Sequence, residues 1–168
     1  MQPIQTHYNG YHFRSRLEAR VAIFLDNIGW KWRYELEGFE FSDGTRYLPD
    51  FLVIDPTTGA GLFYIEVKGQ NPTPDDLHKA AELCTDSKLP VVFIVGEIDA
   101  RKICGGLLGY VSNEEVGYHE MNFSISYYCW NKWGEPGYWV EDDPCDKTIS
   151  ACIAARSARF EHGQSGAL

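Results

Sequence analysis

The chain lacks the features that mark several classes of protein. Its five cysteines are odd in number and include no C-x-x-C pair, so neither a disulfide framework nor a zinc site is indicated. No apolar run approaches the roughly 18 residues that a membrane-spanning helix requires, and the first residues lack a signal-peptide pattern. We therefore expect a cytoplasmic protein with reduced thiols and no membrane partner.

Basic residues are also scarce, with 15 Lys and Arg against 24 Asp and Glu and a net charge of −9. This balance argues against tight nucleic-acid binding, because phosphate binding normally draws on Lys and Arg. The excess acid is uneven: residues 1–54 carry six basic and seven acidic side chains, and residues 55–168 carry nine and seventeen. Bound divalent cations would reverse the local potential, so weak or partner-assisted DNA binding remains compatible with the composition.

What the sequence does contain is a regular succession of helical and strand patterns. Apolar spacing predicts a helix, a meander of three strands, a second helix and a fourth strand, over residues 16–28, 31–41, 46–54, 62–68, 74–86 and 91–95. The length fits one compact domain. The order αβββαβ predicts an α/β fold in which helices flank a mixed central sheet and a helical crossover joins the fourth strand.

The pattern weakens beyond residue 100, where Gly and aromatic residues accumulate. Strands are predicted there at residues 123–130 and 137–140, and core packing is favoured over base stacking for the aromatic side chains. A final helix is predicted with Asp146 as its cap and Gly163 at the start of a small-residue tail. Its predicted buried stripe consists of Ile149, Cys152, Ile153 and Phe160.

Ionisable residues interrupt the apolar third strand. Because side chains alternate along a strand, Phe63, Ile65 and Val67 should face one way, and Tyr64, Glu66 and Lys68 the other. Burying such charges costs several kcal/mol unless they are paired or bind a metal.

The turn before this strand predicts its pairing. If Asp55 faces Gly61, Asp50 falls opposite Glu66, with Cβ atoms about 4.5 to 5.5 Å apart. Two carboxylates at that separation suit Mg²⁺ or Mn²⁺.

These residues carry a family resemblance. Pro49-Asp50, followed after fifteen intervening residues by Glu66-Val67-Lys68, and preceded by the helix start Ser15-Arg16-Leu17-Glu18, resembles the PD-(D/E)XK nuclease superfamily. The surrounding stretches FRSRLEAR, DGTRYLPDF and EVKG are similar to small phage and bacterial nuclease-like proteins of that superfamily, which implies a bacterial or phage-infected cell. The resemblance covers residues 8–96, the expected core, and a related signature lies at residues 154–163, within an expected extension at residues 97–163.

The resemblance also implies roles for individual residues. Asp50 and Glu66 would bind Mg²⁺ or Mn²⁺ together with the backbone carbonyl of Val67. Lys68 would orient or help deprotonate the attacking water, and the expected products are a 5′-phosphate and a 3′-hydroxyl. Glu18 and Gln70 are further catalytic candidates, because members of the superfamily often supply an acidic ligand from the first helix or a glutamine after the lysine.

Structural interpretations remain open for several of these residues. Glu18 follows Ser15 at the spacing of a capping box. Asp50 could be a surface carboxylate, Glu66 and Lys68 an exposed pair, and Gln70 a surface residue. Three arginines of the first helix region are candidate phosphate contacts, although the first of them could equally pair with Glu18; they are Arg14, Arg16 and Arg20.

We therefore expect a metal-dependent nuclease that hydrolyses DNA, with RNA left open as a substrate. The competing hypothesis is a catalytically silent member of the fold that recognises DNA or a protein within a phage or mobile-element assembly. A protein partner and a homodimer both remain open.

Overall fold

A computed structural model describes residues 4–99, 106–111, 116–121 and 146–160. The three helices of this part are Arg16–Ile28 (α1), Pro74–Ser87 (α2) and Asp146–Ser157 (α3). Its ten strands are Thr6–Tyr8 (β1), Tyr11–Phe13 (β2), Lys31–Tyr34 (β3), Phe39–Glu40 (β4), Arg46–Tyr47 (β5), Phe51–Ile54 (β6), Gly61–Lys68 (β7), Val91–Val95 (β8), Gly106–Val111 (β9) and Val116–Met121 (β10). None of the described helices is long and apolar enough to cross a membrane.

A six-stranded mixed sheet organises the fold, in the order β10-β9-β8-β7-β6-β3. The β7–β8 pair is parallel and is connected through α2, whereas the other neighbours are antiparallel. The predicted α/β class, the meander (β3, β6, β7) and the helical crossover are thus confirmed. Strands β9 and β10, which were not predicted, extend the sheet beyond β8.

Local signals set the ends of α1 at the predicted residues. The hydroxyl of Ser15 accepts a hydrogen bond from the backbone N–H of Glu18, which caps the first turn. Gly29 ends the helix with a φ of +83°, a conformation that glycine adopts without the steric cost of a Cβ atom.

Two predicted strands are each interrupted in the structure. The run over residues 31–41 breaks after Tyr34, because Glu35 takes a left-handed φ of +43°. The run over residues 46–54 breaks at residues 48–50, where Pro49 has no N–H to donate to a ladder. The end of the first run (β4) pairs with the start of the second run (β5) to form a separate hairpin.

The final helix differs only in part from its prediction, because Cys152 and Phe160 of the predicted stripe are buried. Asp146 lies inside α3 and not before it. Ile149 and Ile153 are 39% and 50% exposed, so their assignment to the buried stripe is wrong. Small side chains face the core instead and allow α3 to pack closely on α1; they are Thr148, Ala151, Cys152 and Ala155. The predicted strands at residues 123–130 and 137–140, and Gly163, lie outside the described residues.

Two apolar cores cover the two faces of the sheet. Phe63 and Ile65 belong to the core on the side of α1 and α3, and Val67 packs against it. Tyr64 belongs to the core on the side of α2, with Leu83 as its neighbour in that cluster. The predicted alternation along β7 is therefore confirmed, and it leaves Glu66 and Lys68 on the α2 face.

Candidate active site

The pairing of β6 with β7 brings Asp50 and Glu66 together. Phe51 pairs with Ile65, so the predicted register holds at the end of the ladder that carries the carboxylates. The predicted facing of Asp55 and Gly61 is wrong, because Ile54 occupies that position and a bulge shifts the register between Val53 and Ile54. The bulge compensates for the one-residue error at the turn.

Asp50 is a buried carboxylate, with 2% of its surface exposed. Its Oδ2 accepts a hydrogen bond of 2.7 Å from the backbone N–H of Val67, and its Oδ1 forms an ion pair with the guanidinium of Arg14. Burial and the charge of Glu66 raise the pKa of Asp50 to about 7, although the N–H of Val67 acts in the opposite direction. The charge of Glu66 thus adds to burial in disfavouring the ionised form of Asp50.

Glu66 is likewise buried, with 6% exposed, and each of its oxygens has a partner. Oε1 lies 2.9 Å from Nζ of Lys68. Oε2 accepts a hydrogen bond of 2.8 Å from the hydroxyl of Tyr47. Burial and the charge of Glu66 raise the pKa of Tyr47 above its ordinary value, which keeps this hydroxyl a donor.

Lys68 lies between two carboxylates. Besides Glu66 it contacts Asp76, whose Oδ1 is 2.7 Å from the ammonium. Partial burial lowers the pKa of Lys68, but the hydrogen bonds that its ammonium donates to Asp76 and Glu66 outweigh this effect, and the pKa is raised. The side chain is therefore a fixed cation.

Asp76 joins this lysine to the start of α2. It forms a capping box with Thr73: its carboxylate accepts from the Thr73 N–H at 2.8 Å, and its own N–H donates to the Thr73 hydroxyl. Burial raises the pKa of Asp76, yet the hydrogen bonds from Lys68 and Thr73 prevail and lower it to about 2. Neither Asp76 nor Tyr47 was predicted from the sequence as a site residue. The Thr73-x-x-Asp76 spacing signalled the cap, but no local pattern signalled its contact with Lys68.

Glu18 is 7% exposed and is held by three donors. Its carboxylate accepts hydrogen bonds from the hydroxyl of Ser15 at 2.7 Å, from the Arg14 N–H at 3.1 Å and from the hydroxyl of Tyr34. The capping box is thus present only in part: the Ser15 hydroxyl accepts from the Glu18 N–H, but the Glu18 carboxylate accepts from the N–H of Arg14 and not from that of Ser15. The charge of Glu18 nevertheless contributes to the raised pKa of Asp50, so the residue lies in the electrostatic neighbourhood of the site.

The arginine and glutamine candidates take different positions. Arg14 contacts Asp50 and Glu35, the latter at 2.7 Å, and is 3.9 Å from Glu18. Gln70 is exposed just beyond the end of β7. Arg16 and Arg20 line a cleft beside α3.

The donor set fits a hard divalent cation. In the described ranges no group of three or more His, Cys, Asp or Glu side chains is arranged to hold a metal. Mg²⁺, however, is commonly held by one or two carboxylates together with water. The N–H of Val67 meets Asp50, and the carbonyl of a strand residue points to the same edge as its N–H. The Val67 carbonyl therefore points to the strand edge on which Asp50 lies, and Asp50 and Glu66 supply the two carboxylates.

Comparison with known proteins adds no family assignment: neither a family model nor a curated protein matches this chain. Its function must be inferred from the chemistry of the site.

Proposed function

We propose that the protein is a nuclease that uses Mg²⁺ or Mn²⁺ to hydrolyse phosphodiester bonds of DNA. The observation that carries the proposal is the pair of buried carboxylates, Asp50 and Glu66, with the ammonium of Lys68 beside them. Together with the motif order, this arrangement supports membership in the PD-(D/E)XK superfamily with its restriction-endonuclease-like core.

Asp50 and Glu66 would hold the cation, with the carbonyl of Val67 as a further ligand. When bound, the ion would supply Lewis acidity, lower the pKa of a water molecule and offset the charge that develops on the phosphate. Its charge would also relieve the repulsion that raises the pKa of Asp50.

Lys68 would position the attacking water. Because its two acidic partners keep it protonated, it would donate hydrogen bonds to the water and to a phosphate oxygen and would not act as the base. Asp76 is a positioning residue that fixes the ammonium from the side of α2. Gln70 and Glu18 remain candidates for a supporting catalytic role.

Arg14 would change partners when a cation binds. Its side chain is 55% exposed, so it can leave Asp50 without disturbing the core. With Asp50 engaged by a cation, the Arg14 guanidinium would lose this partner and would be free to contact a phosphate of the substrate. Arg14 would thus pair with Asp50 in the metal-free protein and with the substrate in the metal-bound protein.

The test is cleavage by pure protein with Mg²⁺, Mn²⁺ or EDTA. Supercoiled plasmid, linear duplex, branched DNA, single strands and RNA serve as separate substrates. Asp50→Ala, Glu66→Ala and Lys68→Ala should abolish cleavage, whereas Lys79→Ala should not. Lys79 is the matched control, because its ammonium also pairs with a carboxylate, that of Asp75 at 2.6 Å, away from the carboxylate pair. A Lys68→Ala protein that cuts at the wild-type rate would contradict the assignment.

A catalytically silent DNA-recognition or protein-interaction role is the second candidate. The observation that favours it is that Arg14 and Lys68 already neutralise the two carboxylates by themselves. Calorimetric titration with Mn²⁺ separates the two functions. A nuclease should bind Mn²⁺ and lose that binding on Asp50→Ala, whereas a silent module should bind none.

A further inference from the structure

Four arginines meet in a cleft between α1 and the end of α3. They come from two parts of the chain that are far apart in sequence: Arg16 and Arg20 from α1, and Arg156 and Arg159 from the last turn of α3 and the residues after it. The cleft has a volume of about 520 Å³. In a chain of net charge −9 with only 15 basic residues, this concentration of positive charge is exceptional.

The structural role of these arginines uses only part of their hydrogen-bonding capacity. Arg16 donates through Nη2 to the carbonyl of Phe160 at 3.1 Å, and Arg156 lies 3.7 Å from Asp99. A guanidinium has five N–H donors. Within the part of the chain that the structure describes, the buried Nε atoms of Arg16 and Arg20 have no hydrogen-bond partner.

A buried donor without a partner costs free energy, and four guanidinium groups in one cleft repel each other. An anion with several acceptor oxygens would offset the repulsion and accept hydrogen bonds from the N–H groups that face the cleft. Phosphate suits guanidinium best, because its oxygens accept the paired N–H groups of the planar fork. The cleft thus has the chemistry of a phosphate site, not of an apolar ligand site.

We propose that Arg16, Arg20, Arg156 and Arg159 bind a backbone phosphate of the nucleic acid on which the carboxylate site acts. Arg14, which contacts Asp50, stands two residues before Arg16. The start of α1 therefore adjoins the cleft through Arg16 and Asp50 through Arg14. The identity of the ligand as nucleic acid rests on the proposed function, and the presence of a phosphate site does not.

The experiment measures binding without cleavage. Fluorescence anisotropy with labelled DNA in EDTA compares the wild type with the double variant Arg156→Gln/Arg159→Gln, which alters the two exposed arginines and leaves α1 unchanged. The matched control is Arg33→Gln/Arg46→Gln, the same charge change at two exposed arginines on β3 and β5. We expect about tenfold weaker binding and a salt slope reduced by roughly 1 to 2 in the cleft variant alone.

Two further measurements, phosphate binding and cleavage, distinguish a failure of the cleft proposal from a failure of the nuclease proposal. Inorganic phosphate should raise the unfolding temperature of the wild type more than that of the cleft variant. If phosphate does so but both double variants bind DNA like the wild type, the site takes free phosphate and the nucleic-acid proposal is overturned. If the cleft variant weakens DNA binding while the wild type never cleaves, the cleft inference stands and the nuclease proposal fails.

Discussion

Asp50→Asn removes a buried negative charge that lowers the stability of the folded state. The side chain of Asp50 is 3% exposed, and burial and the neighbouring charge of Glu66 raise its pKa to about 7. The amide oxygen of the variant can still accept the hydrogen bond from Val67. We therefore expect the variant to be catalytically inactive and yet more stable than the wild type above pH 7.

The pKa difference sets the size and the sign of this effect. An unfolded aspartate titrates near 3.8 and the folded one near 7. The wild type therefore loses stability as the pH rises from 3.8 to 7, because the folded state retains a proton that the unfolded state has released. The full difference corresponds to about 4 kcal/mol. We expect about 2 kcal/mol, since water entry and loss of the Arg14 ion pair offset part of it.

Urea unfolding in EDTA at pH 4.5 and at pH 8 measures the effect. The difference in unfolding free energy between Asp50→Asn and the wild type should grow in favour of the variant at pH 8. Asp86→Asn, an exposed site on α2, is the control and should show the same small difference at both pH values. A variant that is less stable than the wild type by equal amounts at both pH values would refute the reasoning.

Three other substitutions test the surroundings of the site and the packing of α3. Asp76→Asn weakens the cap of α2 and the contact that fixes Lys68. We expect a loss of about 1 kcal/mol in urea unfolding and, if the protein is a nuclease, a lower kcat with KM unchanged; an unaltered kcat would count against the positioning role. Tyr47→Phe removes the hydrogen bond to Glu66 and should lower the free energy of unfolding by about 1 kcal/mol. It should also alter the Mn²⁺ affinity measured by calorimetry; no change in either quantity would contradict the role of Tyr47 in holding Glu66. Ala155→Leu should destabilise by about 1 to 3 kcal/mol in thermal unfolding and Ile153→Ser by less than about 0.5, whereas equal losses would disprove the orientation of α3.

Some of the candidate site could be predicted because its signals are local. Alternation along β7 placed Glu66 and Lys68 on one face, and the hairpin connection placed Asp50 opposite Glu66 despite the bulge. A further local signal went unused: Asn9-Gly10, both at positive φ, forms the two-residue turn of the β1–β2 hairpin.

Other contacts could not be predicted, because they join segments without a common local pattern. The expected pairing of Arg14 with Glu18 is present at 3.9 Å. The ion pair of Arg14 with Asp50 was not predicted, because it depends on the packing of the chain before α1 against the start of β6. Asp76 reaches Lys68 only because the crossover returns α2 across the end of β7. The arginine cleft likewise depends on α3 packing against α1.

By itself, the sequence determined where α1, α2, β7 and β8 form and which face of β7 carries charge, because caps, turns and side-chain alternation act over a few neighbouring residues. Only the tertiary structure decided the partners of those charges. The buried face of α3, the contact of Arg14 with Asp50 and the contact of Asp76 with Lys68 all depend on how segments distant in sequence pack together. No periodicity or spacing along the chain encodes such packing.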